Sequence, residues 1–185
     1  MKKAKNILPL PTRLLLYNAL IKPHLDYGCL IWGGGKVDKL VTLQKKAIRL
    51  IDSNQNWTCH TNPLFWKYKI LKLPDLIWLS ETTIAFQASI KETPIAITRK
   101  FEFETNTGVT RKRGSLTIKK QAAKTNKQAN YLLFRVATAW NVLAEDHKYR
   151  ISTWSFKKLM KRLANQRYEM LPKCAKKYCQ SCVKT

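Results

Sequence analysis

Carboxylates are scarce in this chain of 185 residues, in which 11 Asp and Glu residues stand against 35 Lys and Arg residues. The acids are also scattered along the sequence, and only Glu145 and Asp146 are adjacent. This pattern excludes the paired aspartates on a turn that hold two magnesium ions for phosphoryl transfer. Phosphate-binding loops ending in Gly-Lys-Ser or Gly-Lys-Thr are absent, and the three His residues have no nucleophile at a recognisable spacing. We therefore predict that the chain is not an enzyme by itself.

Long apolar runs are also absent. No stretch of 18 apolar residues exists, so we expect no membrane partner and no spanning helix. The first residues, "MKKAKNILPLPTRLLL", lack a clean apolar region and a small-residue cleavage site, which argues against a signal peptide. An odd number of cysteines, five, without such a signal predicts reduced thiols. We expect an intracellular protein, in the nucleus or in a cytoplasmic ribonucleoprotein.

The positive charge, formally +24, is spread along the chain. Residues 99–127 hold nine basic and two acidic side chains, and residues 157–184 hold nine basic and one acidic side chain. A compact body with this charge repels itself unless a polyanion lies nearby. Nucleic acid is the commonest such partner and an anionic membrane surface is the second, while a solvated basic face is the alternative to any partner. We predict binding to nucleic acid.

Hydrophobic periodicity predicts a mainly α fold. The predicted parts are a helical bundle over residues 1–91, a basic loop or weak hairpin over 92–130, C-terminal helices over 131–168 and a basic Cys-containing tail over 169–185.

Two of the predicted helices are specific enough to test. Thr12 is placed as the N-cap of the first helix, and its buried stripe is Leu15, Leu16, Ala19 and Leu20. A second helix spans 38–52, and its inner side is Leu40, Leu43, Ala47, Ile48 and Ile51.

Three basic clusters are the predicted phosphate contacts. On the helix over 38–52 they are Lys39, Lys45, Lys46 and Arg49, for which a solvated helix face is the alternative. The central cluster is Arg111, Lys112 and Arg113. The last helix contributes Lys157, Lys158, Lys161 and Arg162.

Tryptophans next to lysines suggest a second kind of contact, because indole rings stack on unpaired bases. Trp57 and Trp66 stand in such surroundings, and for both of them stacking and core packing are open interpretations. For Trp78 and Trp140 we predict core positions.

The last cysteines have the spacing Cys-x4-Cys-x2-Cys, at Cys174, Cys179 and Cys182. Their final pair matches one half of a zinc site, and Cys59 or His60 would supply a fourth ligand from a distance. A disordered basic tail with reduced thiols is the alternative. No other cofactor is predicted.

Three segments in order resemble the region downstream of the catalytic palm in LINE-type (non-LTR) retrotransposon reverse transcriptases, most closely the jockey-like branch. "LYNALIKPHLDYGCLIWGG" followed by "LQKKAIRLI" has Leu-Tyr, a Pro, Tyr-Gly before a Trp, and Leu-Gln before a basic helix. "TNPLFWKYKILKLPDL" is similar to the next family block, in which Pro-Leu-Phe precedes Leu-x-Ile-Leu-x-Leu. "VATAWNVLAEDHKYRISTWSFKKLMKRL" resembles the closing block, Trp-Asn-x-Leu-Pro with a later Phe-Lys, except that Ala144 replaces the Pro. The resemblance covers roughly residues 10–168.

This resemblance implies a thumb-like helical domain that grips template RNA and primer–template duplex, without the palm that carries the catalytic aspartates. The tail that contains three cysteines departs from the family pattern. Two hypotheses follow: the chain is a fragment of an active RNA-directed DNA polymerase, or it is a structural RNA-binding protein recruited into a large ribonucleoprotein such as a ribosome. The starting methionine, the charge and the basic tail favour recruitment.

Overall fold

A computed structural model describes residues 7–52, 60–105, 115–120 and 124–169. This part of the chain is mainly helical, which confirms the predicted fold class. Its helices are α1 (Leu10–Leu16), α2 (Lys22–Asp26), α3 (Cys29–Trp32), α4 (Asp38–Ile51), α5 (Asn62–Lys67), α6 (Leu73–Ser89), α7 (Ile95–Thr98), α8 (Asn126–Ala129), α9 (Leu132–Asn141), α10 (Glu145–Lys148) and α11 (Thr153–Glu169). A π-helical segment, Tyr17–Ile21, joins α1 to α2, and strands β1 (Phe103–Thr105) and β2 (Leu116–Ile118) pair antiparallel.

The described residues divide into two compact units, to which α6 and α11 both contribute. The first unit comprises residues 7–29, 36–52, 60–76 and 162–169, and the second comprises residues 30–35, 77–105, 115–120 and 124–161. In the described ranges, no helix has the length and apolar character that crossing a membrane requires.

The first helix differs from its sequence-based prediction. α1 begins at Leu10, directly after Pro9, so Thr12 is not its N-cap. Proline suits the start of a helix because the N–H groups there have no intrahelical partner. The predicted buried stripe is also wrong, since Leu15 and Leu20 are 66% and 60% exposed. Ala19 is exposed as well, and Leu16 is only half-buried.

The side chains that α1 and the π-helical segment bury instead are Arg13 and Tyr17, and each has a polar partner in the first unit. The Arg13 guanidinium donates to the carbonyl of Leu50 at 3.4 Å. The π-helical segment follows from Pro23, which has no N–H to donate and clashes with the carbonyl four residues before it. The chain widens ahead of this proline, and the Lys22 N–H donates to the Tyr17 carbonyl, five residues back.

The core of the first unit contains a buried amide, the side chain of Gln44, which is 1% exposed. Its Nε2 donates to the Tyr17 hydroxyl at 3.1 Å and to the Leu71 carbonyl at 2.9 Å, and its Oε1 accepts from the Leu73 N–H at 2.8 Å. The prediction that Leu43 faces inward is wrong, because it is 58% exposed. The inner side of α4 follows i, i+3, i+4 and i+7 from Gln44, through Ala47, Ile48 and Ile51.

The core of the second unit is aromatic. Phe86 of α6 stacks on Phe156 of α11, with ring centroids 4.4 Å apart. Trp140 of α9 is fully buried, as predicted, and meets Phe103 of β1 edge-on at 6.1 Å. Trp78 is half-buried.

Two short strands of the second unit lie within residues 92–130, for which the sequence predicts a basic loop or a weak hairpin. We call this pair of strands the hairpin. β1 and β2 are antiparallel, with Phe103 opposite Ile118 and Thr105 opposite Leu116. A two-stranded ribbon is marginal alone, so it needs further packing to persist.

Candidate nucleic-acid interface

The cations of α11 lie on its exposed side. Phe156 and Met160 are fully buried, and this fixes which face of the helix is turned inward. The exposed cations are Lys157, Lys158, Lys161 and Arg162. Among the side chains that the structure describes, none of these four forms an ion pair with a carboxylate. Three of these cations, Lys157, Lys158 and Lys161, belong to the second unit, and we call them the α11 cluster. This surface is therefore open to an external anion. Arg162 belongs to the first unit.

The cations of α4 form a second surface, in the first unit. Lys39, Lys45 and Lys46 are exposed, whereas Arg49 is half-buried. The pKa of Lys72 is lowered, mainly by burial, with Asp75 acting in the opposite direction and Lys45 adding to the decrease. Positive charge thus continues from α4 to Lys72, whose Nζ lies 4.4 Å from the centre of the Tyr168 ring.

Trp66 is 42% exposed, but its neighbouring lysine is already engaged. The Nζ of Lys67 lies 3.1 Å from the carboxylate of Asp52, and this hydrogen bond raises the pKa of Lys67. The Tyr68 hydroxyl also donates to Asp52, at 2.9 Å. For a base stacked on Trp66, the lysine next to it in sequence is therefore already paired with a carboxylate. Trp57 lies outside the described residues.

Most of the described carboxylates bind groups of their own unit. Arg135 Nε donates to Glu81 at 2.7 Å, and both side chains are largely buried. Asp75 accepts from Arg167 at 3.2 Å and from the Tyr168 hydroxyl. Because the acids are few, their use in the fold leaves the α11 cluster without a counter-charge.

The hairpin is held by side chains of α9 and α10. The carboxamide of Asn141 bonds to both the N–H and the carbonyl of Ile118, at 2.9 Å each. The carbonyl of Leu116 accepts from Trp140 Nε1 at 3.1 Å and from Lys148 Nζ at 2.8 Å, and its N–H donates to Glu145 at 3.1 Å. These bonds satisfy the edge of β2 that faces away from β1. We call these four side chains the hairpin clamp.

The central cluster, Arg111, Lys112 and Arg113, lies between the two strands in sequence and outside the described residues. The clamp fixes the strand that follows this cluster.

A small cavity of about 260 Å³ lies beside the hairpin in the second unit. It is lined by Lys100, Glu102, Lys119, Lys120, Leu133, Phe134 and Ala137. Lys119 lies 3.4 Å from Glu102 and 3.6 Å from Glu104, so these two carboxylates offset part of the charge of the three lysines that line the cavity. The α11 cluster is the stronger anion surface.

The zinc prediction falls mostly outside the described residues, where Cys59, Cys174, Cys179 and Cys182 all lie. His60 is exposed. The part of the chain that the structure describes contains no group of three or more His, Cys, Asp or Glu side chains arranged to hold a metal ion. Zinc binding stays a prediction.

Sequence reasoning missed Trp154, which is 71% exposed on the first turn of α11. Lys158 Nζ lies 4.8 Å from its ring centre. The i, i+4 spacing of a Trp and a Lys on one helix face is the signal that marks this pair in the sequence.

Compared with known proteins, the chain matches no family model, no curated protein and no solved structure. The resemblance to the C-terminal region of LINE-type reverse transcriptases therefore stays a prediction from its three sequence blocks.

Proposed function

We propose that this chain is a non-catalytic nucleic-acid-binding module that holds RNA, or an RNA–DNA duplex, through phosphate contacts without reading the base sequence. The observation that carries the proposal is the unequal use of charge. The described carboxylates Asp52, Asp75, Glu81 and Glu145 bind groups of their own unit, whereas the α11 cluster has no carboxylate partner among the described side chains. A polyanion supplies the counter-charge that this surface lacks.

The three sequence blocks support descent from the part of a LINE-type reverse transcriptase that follows the catalytic palm. On this proposal the module acts inside the cell. It works as a recruited structural component of a ribonucleoprotein or as the thumb of a longer polymerase.

The test is the salt dependence of binding by the full chain to a labelled RNA duplex and to an RNA–DNA duplex. Each neutralised phosphate contributes about 0.9 to the slope of log K against log salt concentration. Replacing Lys157, Lys158 and Lys161 together by Gln should therefore reduce that slope by about two to three units. The corresponding change of Lys39, Lys45 and Lys46 tests α4 in the same way.

A matched control removes three charges elsewhere, through Lys36→Gln, Lys91→Asn and Lys124→Gln. These lysines are exposed and lie outside the predicted clusters, and Asn suits position 91 because the φ of Lys91 is 58°. The control should keep the wild-type slope. Two results would contradict the proposal. In one, the control variant loses as much salt slope as the α11 variant. In the other, the wild-type chain binds neither duplex at low salt.

A further inference from the structure

Trp154 and Lys158 form an exposed aromatic–cation pair in the second unit. The indole is 71% exposed, although a large aromatic ring gains free energy from burial. Lys158 Nζ lies over the ring, 4.8 Å from its centre, and Trp154 as a whole stays 71% exposed. Nearby in sequence, Tyr149 and Ile151 are also exposed, at 66% and 101%.

The fold holds this pair in a fixed position. Phe156, two residues after Trp154, is fully buried and stacks on Phe86, so the indole points away from the core. The first turn of α11 is anchored by the Thr153 hydroxyl, which donates to Glu92, and by the Ser155 N–H, which donates to the hydroxyl of Ser152. The ring is therefore presented on a rigid helix.

The charge around the indole indicates which class of ligand can bind there. Residues 153–168 contain no acid, and the Glu92 carboxylate beside the first turn already accepts the hydrogen bond of the Thr153 hydroxyl. Lys157, Lys158 and Lys161 are exposed within two turns of the ring. An occupant must combine a flat apolar face with negative charge. An unpaired nucleotide has both, in its base and its phosphate, whereas the bases of a duplex are closed against each other.

We infer that Trp154 is a stacking site for an unpaired base of a single-stranded nucleic acid, and that Lys158 neutralises the adjacent phosphate. The inference rests on the proposed nucleic-acid binding and adds to it a preference of this site for single-stranded segments. Stacking on aromatic side chains tolerates any base, so the site adds affinity without sequence selectivity.

The experiment compares a single-stranded RNA containing one 2-aminopurine with an RNA duplex of the same sequence, both titrated with the full chain. Trp154→Ala should weaken binding of the single strand roughly 5- to 100-fold and change duplex binding by less than about twofold. It should also abolish the fluorescence change of the 2-aminopurine. Trp154→Phe, which keeps an aromatic face, should retain most of both signals.

Tyr131→Ala is the matched control, because Tyr131 is also an exposed aromatic residue, at 59%, and lies outside the predicted nucleic-acid contacts. It should leave both affinities unchanged. An unchanged thermal midpoint for Trp154→Ala confirms that the variant folds.

Three results would overturn the inference. In the first, Trp154→Ala binds the single strand as tightly as the wild type, which is also what a protein-docking role of the indole predicts. In the second, the variant loses single-strand and duplex affinity equally. In the third, the wild type binds the duplex with the expected salt slope but does not bind the single strand, so that the proposed function stands and the stacking site alone fails.

Discussion

The side chain of Asn141 pairs with the backbone of Ile118 as a neighbouring strand would, donating through Nδ2 and accepting through Oδ1 at 2.9 Å each. Together with the bonds to Leu116, this interaction protects an edge that a two-stranded ribbon otherwise exposes. Asn141 belongs to the Trp-Asn block that resembles the reverse transcriptases. In the second unit, this block therefore helps to hold strand β2 in place.

Asn141→Ala should lower the free energy of unfolding by about 1–3 kcal/mol, because it leaves the N–H and carbonyl of Ile118 without their partner. Hydrogen exchange of the Ile118 amide should accelerate, measured by NMR or mass spectrometry. Asn18→Ala, at an exposed position, is the control and should cost less than about 0.5 kcal/mol. An Ile118 amide that exchanges at the wild-type rate would show that the clamp does not hold the strand.

Replacing the polar residue Gln44 should lower the free energy of unfolding more than replacing its apolar neighbour Leu43. This is the reverse of the usual order, in which apolar residues matter more. Gln44→Leu removes the partners of the Tyr17 hydroxyl, the Leu71 carbonyl and the Leu73 N–H, and we expect a loss of about 2–5 kcal/mol in urea unfolding. Leu43→Gln, on the exposed side, should cost less than about 1 kcal/mol. Equal losses for the two variants would contradict the orientation of α4.

This pair of residues shows where sequence reasoning succeeds and where it stops. The helix over 38–52 was predictable, and it spans Asp38–Ile51, because helical periodicity is a local property. The burial of Gln44 was not predictable, because its three partners lie about 27 to 29 residues away in the sequence and become neighbours only in the fold.

The same limit applies to the candidate interface. The exposed Lys157, Lys158 and Lys161 followed from periodicity, since Phe156 and Met160 mark the inner side of α11. Trp140 and Trp154 both lie within the predicted C-terminal helices, yet one is fully buried and the other is 71% exposed. Tertiary packing decides between these two outcomes.

Gly34→Ala should destabilise the second unit by about 1–3 kcal/mol, because the added methyl has no room. A Cβ at this position would lie 2.0 Å from Nη1 of Arg135 and 2.4 Å from the backbone oxygen of Asn130. Gly35→Ala should be less destabilising than Gly34→Ala, since the nearest atom to its added Cβ, the Trp32 oxygen, is 3.3 Å away. Thermal unfolding of both variants checks the prediction, and a midpoint for Gly34→Ala at or above that of Gly35→Ala would contradict it.

Tyr168→Phe should lower the free energy of unfolding by about 1–3 kcal/mol at neutral pH, measured by urea unfolding. The lost hydroxyl accepts from the Lys72 N–H at 2.9 Å and donates to Asp75. Tyr131→Phe, at an exposed position, is the control and should have little effect.

The effect of Tyr168→Phe should also depend on pH. Burial, followed by the hydrogen bond to Asp75, raises the pKa of Tyr168 above its ordinary value. The stabilisation is therefore complete below about pH 10 and is lost as the pH rises further, because the unfolded chain ionises first. The difference between wild type and variant should shrink above about pH 10. If the stability difference grew above about pH 10 instead, the pKa of Tyr168 would be lowered by folding and not raised.

The proposed function predicts that the central cluster connects the clamped hairpin to phosphate binding. If Arg111, Lys112 and Arg113 each contact a phosphate, replacing all three by Gln should reduce the salt slope by about two to three units. Their position between two short strands predicts that Asn141→Ala, which keeps every charge, weakens binding only through the loss of a fixed hairpin. Its salt slope should then stay at the wild-type value while its affinity falls, measured on the same duplexes. An unchanged slope for the triple variant would remove the central cluster from the interface and leave the α11 cluster as the main contact.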